Sequence, residues 1–212
     1  MAKVEVFVFN PFQENTFLIH DDSKECVIID PGCYDSQEYE NLEKFISSNE
    51  LKPVKIINTH CHVDHIIGNG LLKKQFQIPI MAHEEEVPLN ENAVEMAGMI
   101  GLAIEKPPAI DIYLKDGEEV VFGQTALQVL HVPGHSPGGI ALYNREEGFV
   151  IAGDALFNGS IGRTDLPGGD YNTLIHNIQT KLIPLPCETK VYPGHGPATT
   201  ILSEKQNNTF LI

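Results

Sequence analysis

The sequence is short of positive charge, and it has no tryptophan and no apolar run of the roughly 20 residues that a membrane span needs. Fourteen lysines and arginines face 29 aspartates and glutamates, which gives a formal net charge of −15. A surface this acidic repels phosphate backbones and anionic lipids, so we expect neither nucleic acid nor a membrane as a partner. The N-terminal MAKVEVFVFN begins as an alternating strand pattern and lacks the apolar region of a signal peptide. We therefore expect a cytoplasmic protein.

Cysteine is also sparse, and its spacing indicates reduced thiols. Cys26, Cys33, Cys61 and Cys187 are scattered and include no CxxC pair. Two disulfides are the alternative, but a chain without an export signal favours free cysteines. The length of 212 residues and the hydrophobic content of 42% are typical of one domain with a sizeable core, which we place at 1–212.

Alternating apolar patterns predict many short strands. Val4, Val6 and Val8 fall on one face of the first strand. Further strands are expected in the first half at TFLIH, CVIID, VKIIN and PIMAH, and in the second half at IDIYL, EEVVF, ALQVLHV, GIALYN, FVIAGD and TKVYPG. Helices are expected at about 36–49, 66–75, 171–182 and 201–206. Ser36 is the predicted cap of the first helix.

The order of these elements indicates how they pack. The two halves of the chain are both rich in strands and both finish with helices, which favours two sheets face to face with helices outside. We therefore predict an α/β fold, a four-layer sandwich in a single domain. Asp116-Gly117 predicts a hairpin turn between IDIYL and EEVVF. Residues 84–108 are expected to be helical in part, either as a lid or as a packed connector.

A dense group of potential metal ligands follows the predicted strand VKIIN. His60, His62, Asp64 and His65 occur within six residues as HxHxDH. In an extended segment the side chains at i and i+2 point the same way, so His60 and His62 can bind one ion together. Asp64 and His65 follow where the chain turns into a helix, face a different point and can bind a second ion. The alternative is a polar start to a helix that Asp64 caps.

Three further candidates occur in similar settings. His135 in HVPGHSPGG, Asp154 in VIAGDALF and His195 in VYPGHGP each follow a predicted strand and lie beside glycine. Strand ends in a sandwich meet at one edge, where a site can be assembled. Taken alone, His135 could be a turn residue and Asp154 a helix cap. The remaining histidines lack this context and are expected to be structural or solvated: His20, His83, His131 and His176.

The motifs HCHVDH, PGHSPG, GDALF and PGHGP, in this order, resemble the metallo-β-lactamase-fold hydrolases over nearly the whole chain. The loop GSIGRTDLPGGD resembles the small single-domain proteins that are similar to glyoxalase II, the hydroxyacylglutathione hydrolases. The resemblance implies an αββα sandwich with two divalent metal ions. It assigns one ion to His60, His62 and His135, the other to Asp64, His65 and His195, and a bridging role to Asp154.

The chemistry of this ligand set favours hydrolysis. Imidazole and carboxylate suit Zn²⁺ best, and iron or manganese is an alternative. Two such ions lower the pKa of a shared water toward about 7, and the resulting hydroxide attacks a carbonyl carbon. The resemblance to glyoxalase II implies a thioester substrate such as S-lactoylglutathione, and a thiolate is a good leaving group that needs little acid assistance. Asp64 is the expected catalytic residue, which orients the hydroxide or holds its proton. Asp30 in IIDPG is expected to accept a hydrogen bond from a ligand histidine, or else to form a turn before Pro31.

The resemblance further implies that Arg163 binds the cysteine-glycine part of glutathione; an ion pair with Asp165 or Asp170 is the alternative. Two features depart from the longer glyoxalase II enzymes. Only 17 residues follow His195, which leaves no room for their C-terminal helical extension, and Asp165 occupies a position that is often aromatic. The remaining alternatives are an iron-dependent persulfide dioxygenase, a lactone hydrolase and a non-catalytic metal-binding protein.

Overall fold

The computed structural model describes all 212 residues and contains two six-stranded sheets. In spatial order, the first sheet consists of β1 (Lys3–Phe9), β2 (Glu14–His20), β3 (Glu25–Ile29), β4 (Lys52–Ile57), β5 (Ile80–His83) and β6 (Ile112–Leu114). The second consists of β14 (Thr199–Thr200), β13 (Lys190–Pro193), β10 (Phe149–Gly153), β9 (Ile140–Asn144), β8 (Thr125–His131) and β7 (Glu119–Phe122). A small separate hairpin contains β11 (Leu156–Phe157) and β12 (Ser160–Ile161).

Seven α-helices connect these strands. They are α1 (Ser36–Ser48), α2 (Val63–Ile66), α3 (Asn69–Phe76), α4 (Val87–Glu91), α5 (Ala93–Met99), α6 (Tyr171–Asn177) and α7 (Ile201–Asn207). A 3₁₀ turn at Glu84–Glu86 precedes α4, and a π-helical turn at Ile178–Leu182 continues α6. No helix combines the length and the apolar character that a bilayer crossing requires.

Alternation along each strand builds the layers. In β2, Phe17 and Ile19 belong to the core between the two sheets, whereas Leu18 between them belongs to the core under α1 and α3. Successive strand residues point to opposite faces, so a strand between two cores contributes apolar side chains to both. A third core, which includes Leu174 of α6 and Ile201 of α7, covers the outer face of the second sheet. The predicted four-layer sandwich is confirmed.

Two local predictions were wrong. The cap of α1 is Asp35 rather than Ser36, and its carboxylate accepts a hydrogen bond from the Glu38 amide at 2.9 Å. Asp116-Gly117 forms a turn with Gly117 at a φ of +80°, but no hairpin, because β6 pairs with β5 in the first sheet and β7 pairs with β8 in the second. Turn chemistry is local and does not specify which sheet the next strand joins.

Residues 84–108 form a packed connector in their first half. Leu89 of α4 and Ala93 of α5 are buried against Cys61 and Ile66, in the segment that carries the HxHxDH motif. Met96 lies on the partly exposed side of α5 and packs at the margin of the same cluster. The connector therefore supports the backbone of the predicted ligand loop.

Candidate metal centre

The predicted ligands lie together at one edge of the sandwich, where four strands end. The segment after β4 carries four of them, His60 and His62 in the loop and Asp64 and His65 in α2, and the loops after β8, β10 and β13 carry one each. β10 and β13 are parallel neighbours, so Asp154 and His195 emerge side by side. The edge thus collects ligands from both sheets.

The first group consists of His60, His62 and His135, all of them buried. Their ligand atoms lie within 4.8 Å of one another. Nδ1 of His62 is 2.9 Å from Nε2 of His135. Nε2 of His60 is buried and has no hydrogen-bond partner. Three ring nitrogens therefore converge on one point.

The second group consists of Asp64, His65 and His195, whose ligand atoms also lie within 4.8 Å of one another. Nε2 of His195 is 3.2 Å from Oδ2 of Asp64 and 3.3 Å from Nε2 of His65. His65 is fully buried, and the side chain of Asp64 is 19% exposed. This group faces the solvent more than the first does.

Asp154 lies between the two groups. Its Oδ2 is 3.5 Å from Nε2 of His135 in the first group and 3.6 Å from Nε2 of His195 in the second. Its Oδ1 is 3.5 Å from Nε2 of His65 and has no hydrogen-bond partner. One carboxylate thus faces both groups, as a bridging ligand would.

Backbone carbonyls orient two of the imidazoles. Nδ1 of His135 donates to the carbonyl oxygen of Arg163 at 2.8 Å, and Nδ1 of His195 donates to that of Phe12 at 3.0 Å. In its neutral form an imidazole has only one N–H, so each ring in that form presents the Nε2 lone pair toward Asp154.

The Asp30 carboxylate orients two more imidazoles, one directly and one through Thr59. Nδ1 of His65 donates to Asp30 Oδ2 at 3.1 Å. The Thr59 hydroxyl donates its single hydrogen to the same oxygen, so it accepts from Nδ1 of His60 at 3.1 Å. Asp30 has a φ of +49°, and it also accepts from the Thr59 amide at 2.6 Å. Such outer contacts fix the tautomer of a ligand histidine.

The electrostatics of the two groups differ. Burial lowers the pKa of His60 well below its ordinary value, and burial together with His135 lowers the pKa of His62 to about 3. Burial also opposes a charge on His65, but Asp154 and Asp64 outweigh it and raise the pKa of His65 well above its ordinary value. The first group is therefore neutral at pH 7, as metal-binding imidazoles must be.

The residues present fit two divalent cations. Nε2 of His60, whose Nδ1 carries the ring proton, and Oδ1 of Asp154 are both buried acceptors without a donor, which is costly unless a cation lies beside them. Five imidazoles and two carboxylates form the donor set that zinc, iron and manganese share in proteins.

Sequence reasoning missed two buried carboxylates beside this centre. Glu14 is fully buried, burial raises the pKa of its carboxyl well above the ordinary value, and Oε1 lies 3.9 Å from Nδ1 of His65. Glu86 is fully buried too and accepts hydrogen bonds from the amides of Cys61 and Gly138. Glu14 is a single acidic residue at the start of a strand, and Glu86 ends an acidic run of the kind that usually indicates a solvated surface. Neither position therefore indicated a buried carboxylate in the sequence.

Close packing at the edge leaves no room for a side chain at Gly194. A Cβ there would contact Oδ1 of Asp154 and lie 2.8 Å from Cε1 of His65. The glycine before His195 thus allows β13 to approach Asp154, which explains the PGH pattern at this position.

A cavity of about 530 Å³ opens onto the two groups. Its lining includes the candidate ligands His62, Asp64, His135, Asp154 and His195, together with the apolar side chains of Phe12, Met96, Ile100, Phe157, Ile161 and Leu166. Both its size and its mainly apolar wall are typical of small-molecule sites. The cavity therefore combines candidate ligands and apolar side chains in one wall.

Arg163 lines this cavity, but it also has a partner. Its Nε and one terminal nitrogen donate to the two carboxylate oxygens of Asp165, both at 2.7 Å. Asp170 instead caps α6 by accepting from the Thr173 amide. The sequence left two roles open for Arg163, a substrate contact and an ion pair. The structure contains the ion pair with Asp165, and Arg163 in this pair still lines the cavity.

A further group, His83, Glu85 and His131, also has ligand atoms within 4.8 Å of one another. The two rings stack at 4.0 Å between centroids. Nδ1 of His83 accepts from the Glu85 amide, and Nε2 of His131 donates to the Pro137 carbonyl. These contacts are consistent with the structural role expected for both histidines.

Comparison with protein families and with curated proteins gives consistent results. The family model described as the metallo-beta-lactamase superfamily matches residues 9–195. The chain is 40% identical over 215 residues to "Hydroxyacylglutathione hydrolase GloC" of Haemophilus influenzae, which covers 98% of this chain and 97% of that protein.

Two solved structures are similar along their whole length. "BLEG-1 B3 metallo-beta-lactamase" is 37% identical with a TM-score of 0.90, and the match covers 100% of this chain and 99% of that one. "TTHA1623 in a di-iron-bound form" is 41% identical with a TM-score of 0.89, and the match covers 98% and 100%.

Proposed function

The chain belongs to the metallo-beta-lactamase superfamily and is a metallo-hydrolase of that superfamily; we propose that it uses two metal ions to hydrolyse a thioester, as glyoxalase II does. The observation that carries this proposal is the position of Asp154 within 3.5–3.6 Å of ring nitrogens from both ligand groups. A carboxylate that faces two complete ligand groups is the arrangement that a pair of ions can share.

His60, His62 and His135 would hold one ion, Asp64, His65 and His195 the other, and Asp154 both. Zinc is the proposed metal, and iron or manganese suits the same donors. When bound, the ions would lower the pKa of the attacking water and polarise the thioester carbonyl.

Asp64 is the proposed catalytic residue among the chain's own groups. Its side chain lines the cavity and is more exposed than that of Asp154. Burial raises its pKa, but His65 and His195 outweigh burial and hold the pKa far below its ordinary value. Asp64 is therefore an ionised acceptor at neutral pH, which can orient the attacking water and accept its hydrogen bond.

The cavity wall supports a thioester in particular. Phe157, Ile161 and Leu166 give the cavity an apolar lining beside the ligand groups, and no lysine lines the cavity as an acid for the leaving group. A thiolate needs little protonation as it leaves, whereas an amine or alkoxide needs more. The similarity to a protein named hydroxyacylglutathione hydrolase supports a glutathione thioester as substrate, with Arg163 as its contact. The cytoplasmic location expected from the sequence stays a prediction.

Elemental analysis of protein purified without chelator tests the metal content. Close to two equivalents of zinc, or of mixed zinc, iron and manganese, supports the proposal, and S-lactoylglutathione hydrolysis is then assayed on the same sample. One equivalent of iron with oxygen uptake on a persulfide would replace it with a dioxygenase. Metal-loaded protein that hydrolyses a lactone or a β-lactam but no thioester would overturn the substrate assignment.

A further inference from the structure

A second cavity of about 620 Å³ adjoins the one at the ligand groups. Met96, Ile100 and Leu166 line both cavities, so these three side chains form the boundary between them. The second cavity therefore lies directly beside the one at the candidate metal centre, next to α5.

The second cavity is apolar at its boundary and on much of its wall. Leu89, Met99 and Pro167 line it in addition to the three shared side chains. Met99 is 76% exposed and Ile100 is 55% exposed. Large apolar side chains grouped at a cavity mark a binding surface, and methionines adapt their shape to the ligand.

Charge restricts what this cavity can hold. Its lining contains no lysine or arginine but includes Glu85 and Glu95. Arg163 is the only lysine or arginine on the first cavity, and Asp165 pairs with it. An anionic group on the acyl chain would thus meet two carboxylates and no unpaired cation. An uncharged apolar chain would meet no such repulsion, and its burial would only remove water from apolar surface.

We propose that the preferred thioester has an uncharged apolar acyl chain that extends from the ligand groups across Met96, Ile100 and Leu166 into the second cavity. This inference rests on the proposed function and names its substrate class, acyl thioesters of medium chain length. Hydrolysis breaks the bond between the acyl carbon and sulfur: the acyl carbon takes the water oxygen, and a carboxylic acid and a thiol leave.

A series of thioesters with one thiol and different acyl chains tests the inference. S-acetyl-, S-butanoyl-, S-hexanoyl- and S-octanoylglutathione keep the leaving group constant. Because each buried methylene favours the bound state, we expect kcat/KM to rise up to about fourfold per added methylene. A flat or falling series would overturn the apolar chain and leave thioester hydrolysis standing.

Two substitutions locate the effect. Met99 lines the second cavity alone, and Met99→Glu would place a charge beside the chain. We expect it to lower the ratio of kcat/KM for the octanoyl over the acetyl substrate by about tenfold or more. Val94→Glu is the matched control, because Val94 is on the same helix, is 44% exposed and lines neither cavity. An equal effect of both variants would contradict the proposed position of the chain.

Binding of a thioether separates this inference from the proposed function. S-octylglutathione cannot be hydrolysed, and calorimetry on the metal-loaded protein compares it with S-methylglutathione. We expect tighter binding of the octyl compound, with a more negative heat-capacity change, and loss of that difference in Met99→Glu. If no thioester is cleaved but this difference is found, the hydrolase proposal fails and the apolar subsite stands. Equal binding of both compounds would overturn the subsite.

Discussion

The carboxylate of Glu86 accepts a hydrogen bond from the backbone amide of Cys61 at 2.6 Å. Its other oxygen accepts one from the amide of Gly138 at 2.7 Å. Cys61 lies between two of the candidate ligand histidines, and Gly138 lies in the loop that carries the third member of the same group. Glu86 thus connects the two backbone segments that carry the three-histidine group. It makes no hydrogen bond to the segment that carries His195.

Glu86→Gln is expected to weaken metal binding at the three-histidine group alone. A glutamine has one acceptor oxygen, so its amide nitrogen would face one of the two N–H groups. Loss of such an outer contact typically costs about 10- to 100-fold in metal affinity. A cobalt(II) titration followed by visible absorption measures the two binding steps. The weakened step should be the one that His135→Ala removes and His195→Ala retains.

Glu204→Gln is the control for this variant. Glu204 is 1% exposed and accepts hydrogen bonds from the Gly159 amide and the Thr199 hydroxyl, so it is another buried carboxylate. It contacts none of the candidate ligand loops, and we expect both cobalt steps to persist. Equal weakening of both steps in Glu86→Gln would show a general loss of stability instead of a positioning role.

Asp154→Ala is expected to lower metal content and activity together. If Asp154 bridges two ions as proposed, the substitution removes an oxygen ligand from both groups and one negative charge between two dications. We expect metal content to fall to one equivalent or less and kcat to fall by more than about 100-fold, beyond the cost of losing an outer contact. Elemental analysis and thioester hydrolysis on one sample measure both. Unchanged metal content and activity would exclude Asp154 as a bridging ligand.

The Arg163–Asp165 ion pair gives opposite expectations for its two members. If Arg163 binds a glutathione carboxylate, Arg163→Ala raises KM for S-lactoylglutathione, while Asp165→Ala frees the guanidinium and lowers KM. Both groups are exposed, so we expect changes of about two- to fivefold. Steady-state kinetics on the two variants test whether Arg163 binds the substrate. An unchanged KM in both would show that the ion pair only stabilises its loop.

Asp21 should make stability depend on acid pH. Burial raises its pKa, but hydrogen bonds from Ser23, the Gln124 amide and Thr125 outweigh burial and lower the pKa to about 2. A pKa below the ordinary value of 3.8 means that the stabilisation is complete above about pH 4 and is lost as the pH falls toward 2. Asp21→Asn should lower the free energy of unfolding by about 1–2 kcal/mol at pH 7. Urea unfolding at pH 7 and pH 3 should show this difference shrinking, and a constant difference would contradict the assignment.

The thiols should differ sharply in reactivity. All four cysteines are free, as predicted, and only Cys187 is exposed. Burial raises the pKa of Cys26 and of Cys33 to about 12 and that of Cys61 well above its ordinary value. Ellman's reagent at pH 8 should label about one thiol in the native protein and four in denaturant. Cys187→Ser should abolish the native signal, and labelling that remains would show that a buried thiol becomes accessible.

The strand pattern predicted the layers well because alternation reports burial directly. Val27 and Ile29 face one core and Ile28 faces the other, so this strand is apolar on both faces, as its sequence indicates. The sequence did not specify which strands pair when they lie far apart along the chain. The turn at Asp116-Gly117 was identified as a turn, but the sheet that the chain enters next depends on contacts with β8, about ten residues further on.

The candidate ligands were visible in the sequence because each is flanked by its own local motif. Their partners were not. Glu86 acts through the amides of Cys61 and Gly138, and the carbonyl of Phe12 accepts from His195 across 183 positions. Backbone donors and acceptors carry no residue-type signal, so these contacts could be found only in the folded chain.

The division of the ligand set between the two sheets couples metal uptake to folding. The four ligands after β4 and the three from the second sheet meet only when the core between the sheets is formed. Ions bound across that junction would therefore favour the docked state over either half alone, and their binding energy would add to the free energy of unfolding. Because such linkage is reciprocal, truncation of Phe17 or Phe122, deep in the core between the sheets, should also weaken the hold on the ions.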